Sequence, residues 1–152
     1  MPINECCNID VVCCEADTLI PDVAALMRKH HVGDVVVVED ENANRVPIGI
    51  VTDRDIVIET VALDIDADGF TAGDLMSAPV ATVREDAGFV DTLRLMRNHR
   101  VRRMPVVRSD GTLFGIVTAD DIARMLATEL SMVTDVMAEQ RVREERLRKS
   151  SL

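Results

Sequence analysis

Two stretches of the chain set a threonine three residues ahead of an aspartate, directly after a short apolar run. They are Gly49-Ile50-Val51-Thr52-Asp53-Arg54-Asp55 and Gly115-Ile116-Val117-Thr118-Ala119-Asp120-Asp121. The spacing has two readings. At the start of a helix, Thr-x-x-Asp approximates a capping box, in which the hydroxyl satisfies a free backbone N–H and the acid faces the positive end of the dipole. The same hydroxyl and free N–H groups also suit a phosphate, and the carboxylate one turn on can accept both hydrogen bonds of a ribose diol. In that second reading the glycine lets a ligand approach the backbone. Arg100, Arg102 and Arg103 add a cluster of cations that is either a phosphate grip or the ordinary charge of an edge strand.

Other reactive residue types carry less. Cys6-Cys7 and Cys13-Cys14 are adjacent pairs, whereas zinc sites space their ligands as Cys-x₂₋₄-Cys, so they read as small core residues rather than as a metal or redox set. Asp64, Asp66, Asp68 and Gly69 imitate the first half of a calcium loop, but position twelve is Leu75 in place of the closing Glu, which leaves a solvated turn. His30, His31 and His99 fall at helix ends, where a cation favours the dipole. No Ser/His/Asp or Cys/His set stands at a defensible spacing.

The elements that must position these residues come in duplicate. Leu26–Val38 aligns with Leu95–Val107 at an offset of 69, identical at seven of thirteen positions, and Gly49–Ile56 aligns with Gly115–Ile122 at an offset of 66. The first copy therefore gains three residues, expected in a longer hairpin loop. Leu19, Val23, Leu26 and Met27, like Phe89, Leu93 and Met96, mark one apolar helical face, with Thr18 and Asp86 as expected N-caps. Short strands follow at 35–38 and 104–107, then at 48–51 and 113–117, with Asp110-Gly111 as a hairpin signal. Further short strands are expected at 11–14 and 80–83, and second helices from Thr52 and Thr118. Each copy is thus a βαββα unit of an α/β (α+β) protein. Sixty residues bury too little alone, so the copies should pack about a pseudo-two-fold axis. The expected division is 5–63, a linker 64–73, 74–127, and a helical extension 128–152. In that extension Ile122, Leu126, Leu130, Val133 and Met137 continue the helical spacing, either as a partner-binding helix or with a tail frayed from about residue 138.

Composition removes several function classes. The 152 residues carry 17 basic and 27 acidic side chains, a net charge of −10, and only three aromatics, with no Trp or Tyr. That is the wrong sign for gripping a phosphate backbone, and there is no stacking platform for bases, so no nucleic-acid partner is expected. No apolar run approaches the ~18 residues of a membrane span and no basic leader precedes one, so no membrane partner and a cytoplasmic location with reduced thiols are expected.

The doubled Gly-Ile-Val-Thr-x-x-Asp-Ile, the strand Val101-Arg102-Arg103-Met104-Pro105-Val106-Val107 and the segment Asp74-Leu75-Met76-Ser77-Ala78-Pro79-Val80-Ala81-Thr82-Val83 together resemble a tandem pair of CBS (cystathionine-β-synthase) domains, a Bateman module. The resemblance spans about residues 5–127. It implies a standalone, non-catalytic regulatory module that binds AMP, ADP or ATP, with S-adenosylmethionine or NAD as further candidates, in two clefts between the copies. No other cofactor is implied, and a homodimer and an unidentified effector protein are the implied protein partners. By the same resemblance, cleft A uses Thr118 and Asp120 toward phosphate or ribose, Asp121 on the ribose diol, and Val12, Val32 and Ile116 around adenine, with Arg102 and Arg103 reaching the phosphates. Cleft B uses Thr52, Arg54 and Asp55 with Ile50, Ala81 and Val101. Since Gly33-Asp34 stands in copy one where copy two has Arg102-Arg103, cleft A is expected to prefer phosphorylated ligands. A structural dimerisation module with vestigial clefts, and a thiol or metal enzyme using the cysteines, are the rival readings.

Overall fold

The computed structural model describes residues 1–151. After a 3₁₀ turn at Ile3–Glu5, the first repeat runs β1 (Cys13–Cys14), α1 (Ile20–His30), β2 (Asp34–Glu41), β3 (Asn44–Thr52) and α2 (Asp53–Ile56). A π-helical turn at Val57–Val61, a 3₁₀ turn at Ala67–Gly69 and α3 (Ala72–Leu75) lead to β4 (Val83–Arg84), α4 (Phe89–His99), β5 (Arg103–Val107), β6 (Leu113–Thr118) and α5 (Ala119–Ser150). The expected βαββα unit is present twice in this mixed α+β chain. Each repeat has its own three-stranded sheet, with a parallel pair (β1/β2, β4/β5) and an antiparallel pair (β2/β3, β5/β6).

The period-3.6 stripe of each first helix explains its burial. Ile20, Val23 and Met27 of α1 and Met96 of α4 are buried against the valine-rich strands beneath them. Both helices end in the same way, with His31 (φ 53°) and Arg100 (φ 56°) in the left-handed conformation that closes a helix C-terminus. Their starts differ from expectation. The N-cap positions are Leu19 and Gly88, neither with a side-chain cap. The Thr18 hydroxyl instead accepts from the Glu15 N–H at 3.2 Å and Asp86 pairs with Arg84 at 3.1 Å. At α1 a backbone carbonyl takes up the free donor, because the Ile20 N–H donates to Phe70 O at 2.9 Å.

That carbonyl belongs to a reciprocal exchange between the repeats. The Ile3 N–H donates to Ala87 O at 2.7 Å, and at the equivalent place the Ala72 N–H donates to Thr18 O at 2.8 Å. Pro2 bridges Gly88 as Thr71 bridges Leu19, and Asn8 bridges Ile116 as Ser77 bridges Ile50. The segment ahead of each repeat therefore crosses to the other. Ile3 is fully buried in the core of the second repeat and Ala72 in that of the first. Phe70 packs on the first core too, so the end of the span 64–73 is structural rather than a free linker. Between the repeats lies a third apolar layer of Val36, Val38, Ile50, Leu113 and Ile116, which neither sheet could cover alone.

The three extra residues of copy one do not lengthen a loop. They extend β2 and β3 to a two-residue turn at Asn42 (φ 54°) and Ala43 (φ 65°), whose paired positive φ values match the twist of a tight hairpin. The shorter hairpin of copy two has the looser connection, turning through Gly111 at φ 86°. At the other end of the chain, α5 runs unbroken for 32 residues, about 48 Å at 1.5 Å per residue. Among its described residues only Ile122 is buried, and Leu126, Leu130, Val133 and Met137 are exposed.

Candidate ligand clefts

Thr52 and Thr118 stand where a strand gives way to a helix, with extended backbone at φ −104° and −115°. Each closes a full capping box. The Asp55 N–H donates to Thr52 Oγ1 at 3.1 Å and the Thr52 N–H to Asp55 Oδ2 at 2.9 Å, and the Thr118/Asp121 pair repeats both distances. A third box at Thr71/Asp74 lines neither cavity described below, so the motif is a helix cap first. What distinguishes the first two is the space in front of them.

The glycines of the motif serve the fold. A Cβ on Gly49 would lie 2.5 Å from Met76 Sδ, and one on Gly115 would lie 2.8 Å from Asn8 O and 3.0 Å from Cys7 Sγ. The close approach expected of a ligand is made by the crossing segment of the other repeat. The missing side chains are what let Asn8 and Ser77 bridge to Ile116 and Ile50.

Two cavities open between the repeats, on either side of this crossing. Cleft A, of about 360 Å³, is lined by Val12, Val32, Ile116, Thr118, Asp120 and Asp121, which sequence reasoning had grouped, and also by Asn8, Asp10, Val11, His31, Asp34 and Arg124. Cleft B, of about 770 Å³, is lined by Ile50, Thr52, Arg54, Ala81 and Val101, together with the segment 76–80, His99, Arg100, Arg102 and Arg103. Both volumes lie in the range of small-molecule sites. Asp55 is not part of the lining of cleft B; its carboxylate is turned into the cap.

Arg102 and Arg103 belong to the lining of cleft B, while their guanidinium groups pair with Asp120 and Asp34 of the cleft A lining, so the two arginines stand between the clefts. They are contiguous with Val101, and this turn of copy two closes over the strand end of copy one. By the same symmetry Asp34, contiguous with Val32, lines cleft A. The charge contrast is therefore the reverse of expectation. Cleft A carries Asp10, Asp34, Asp120 and Asp121 against His31 and Arg124, and Arg124 is held by Asp121 at 2.8 Å. Cleft B carries Arg54, Arg100, Arg102, Arg103 and His99 and no acid. The residues missed in the sequence were recoverable from it. The repeat offset carries His31 to Arg100, Asp34 to Arg103 and Val11 to Val80, and all six line a cleft.

The family assignment now has its footing. The profile of the CBS domain matches residues 3–61 and 72–128. This chain belongs to the CBS domain family. An uncharacterised protein of Methanopyrus kandleri is 37% identical over 123 residues, 81% of this chain and 61% of that one, so the CBS pair spans less than two thirds of that relative. Hypoxic response protein 1 of Mycobacterium tuberculosis is 37% identical over 119 residues, 78% of this chain and 80% of that one. A crystal structure of Hypoxic Response Protein I with two coordinated zinc ions superposes with a TM-score of 0.71 at 34% identity, covering 82% of this chain and 98% of that one. A CBS domain protein from Pyrobaculum aerophilum complexed with AMP has a TM-score of 0.74 at 27% identity, covering 87% of this chain and 99% of that one.

The cysteines of the CBS pair are free thiols. Burial pushes Cys6, Cys7 and Cys13 above the ordinary thiol value, and takes Cys14 up to about 11. Thiols so displaced stay protonated at neutral pH and are poor nucleophiles. Among the described residues no three of His, Cys, Asp and Glu come together to hold a metal ion. Nor, among them, is any helix long and apolar enough to cross a membrane.

Proposed function

We propose that this CBS pair is a regulatory module that binds an adenosine-containing ligand between its repeats and performs no chemistry on it. The observation that carries the reading is cleft B. There four arginines face one cavity whose apolar side is Ile50, Val80, Ala81 and Val101. Cations suit phosphate, and branched aliphatics can sandwich a purine. AMP in the P. aerophilum CBS protein supports the same class of ligand, and AMP, ADP and ATP are the phosphorylated candidates. S-adenosylmethionine and NAD are the others. The two zinc ions belong to the mycobacterial structure and are not carried over to this chain.

The test is a thermal-shift panel of AMP, ATP, NAD and S-adenosylmethionine. A ligand at a hundred times its Kd adds about 2.7 kcal/mol, a rise of roughly 5–10 °C for a chain of this size. If none of the four moves the melting temperature, the clefts are vestigial. The module would then be a dimerising protein, a reading favoured by the exposed stripe Leu126, Leu130, Val133 and Met137 on α5. We place the module in the cytoplasm as a homodimer that signals its ligand state to an effector protein; the free thiols and this stripe support the first two points.

A further inference from the structure

Asp34 and Arg103 stand 69 residues apart, the offset that relates the repeats, and they form an ion pair. Two equivalent positions can touch only on the pseudo-two-fold axis, so this bridge marks the axis itself. It is partly buried, with 18% of the Asp34 side chain and 35% of that of Arg103 exposed. A second bridge lies beside it, from Arg102 to Asp120 at 3.5 Å in the open. In both pairs the acid lines cleft A and the arginine lines cleft B. The two clefts are therefore joined by charge, each arginine of one neutralising a carboxylate of the other.

We infer that Arg103 is a shared cation which limits the chain to one phosphorylated ligand, held in cleft B, and keeps cleft A for an adenosine compound that is uncharged or positive. The inference rests on the adenosine-binding reading above and names the ligand class of each cleft. A phosphate in cleft B draws Arg103 and Arg102 toward itself. Asp34 and Asp120 are then left without their partners on the wall of cleft A, which already holds Asp10 and Asp121. Among the described residues the one Lys or Arg lining that cleft is Arg124, and it is bound to Asp121. A second phosphate meets uncompensated carboxylates there, whereas a sulfonium or ammonium group is attracted to them. Because binding free energies are reciprocal, a cation in cleft A tightens the phosphate in cleft B by the same factor. The copy-one residue Gly33, which stands where copy two has Arg102, offers nothing to offset this.

Calorimetry on the full chain with AMP and with S-adenosylmethionine reads the coupling. One AMP per chain is expected, together with tightening of S-adenosylmethionine by about fivefold or more when AMP is saturating. Asp34→Asn should admit a second AMP, strengthen the first by a similar factor, and abolish the effect of AMP on S-adenosylmethionine. Asp120→Asn, at the exposed pair, should shift the same quantities in the same direction by less, and stands in if Asp34→Asn does not fold. A bridge that only holds the repeats together would lower the melting temperature on mutation with no change in stoichiometry, and that result overturns the inference. Two equivalent AMP molecules per wild-type chain overturn it while leaving adenosine binding intact. Binding of neither ligand removes the reading beneath it and the coupling as well.

Discussion

Clefts A and B are built by one plan. Each has a strand that ends in a capped threonine, an apolar wall taken from both repeats, and a turn from the facing repeat over its mouth. What differs is the sign of the charge at two equivalent positions, Asp34 against Arg103 and Asp120 against Arg54. The apolar equivalents hardly differ, with Val32 against Val101 and Ile116 against Ile50. Positions that hold the fold have stayed alike, since a buried valine or isoleucine must fill the same volume in either copy. The charged positions stand on the same cavity walls without that packing demand, so their divergence reports on what each cavity holds.

The most direct way to break this contrast is Arg54→Asp, which gives cleft B the acid that cleft A carries at Asp120. Arg54 is exposed and makes no ion pair among the described residues, so the fold has little to lose. Replacing an attraction to phosphate by a repulsion should weaken AMP by about a hundredfold, near 2.7 kcal/mol. Calorimetry checks the affinity, and an unchanged melting temperature without ligand checks that the fold is intact. Undiminished AMP binding would place the phosphate elsewhere than cleft B.

The next comparison concerns the crossing segments. Gly115→Ala drives a Cβ to within 2.8 Å of Asn8 O, a backbone atom pinned by its own bridge to Ile116, whereas in Gly49→Ala the nearest atoms belong to the Met76 side chain. The Met76 Sδ can turn aside, but its Cβ, 2.9 Å from the added methyl, is fixed to the backbone and, like Asn8 O, cannot yield without moving the chain. We expect Gly115→Ala and Gly49→Ala each to cost about 2–3 kcal/mol, read from denaturant unfolding. A cost near zero at either glycine would mean that the segment crossing there yields.

These crossings were the least legible part of the fold. The duplicated pattern of helix and strands could be read from periodicity and from the two aligned blocks, because those elements bury their own faces locally. The exchange of Ile3 and Ala72 could not, since it depends on hydrogen bonds between residues some eighty and fifty positions apart, such as Ile3 with Ala87 and Ala72 with Thr18. Its trace in the sequence is the glycine of the repeated motif, which was read as room for a ligand. The N-caps failed for the same reason: Thr18 and Asp86 have good capping side chains, but at α1 a carbonyl from the crossing segment already takes the first helical N–H. The resemblance gave Arg102 and Arg103 to cleft A alone; their place in the lining of cleft B was not legible, because it depends on how the two sheets pack rather than on the β5 register that sets Arg103 opposite Thr118.

The smallest expected effect tests whether the repeats also differ in a titratable core. Cys14 of the first repeat is equivalent to Val83 of the second, and both are buried, at 8% and 3% exposure. Burial pushes the Cys14 thiol up from its ordinary 9.0 to about 11, the hydrogen bond to Thr18 offsetting only part of this. The folded chain therefore keeps a proton that the unfolded chain releases. The stability this contributes is complete below pH 9 and is lost as pH rises toward 11. Cys14→Val copies the second repeat into the first without changing the shape of the core by more than a methyl group. Cys6, Cys7 and Cys13 are displaced upward as well, so the decline should become shallower rather than vanish. Urea unfolding at several pH values between 8 and 11 should show wild type and variant parallel at the low end and diverging above pH 9, with the variant the more resistant. Parallel curves throughout would mean that the thiol meets water in the folded chain as freely as in the unfolded one.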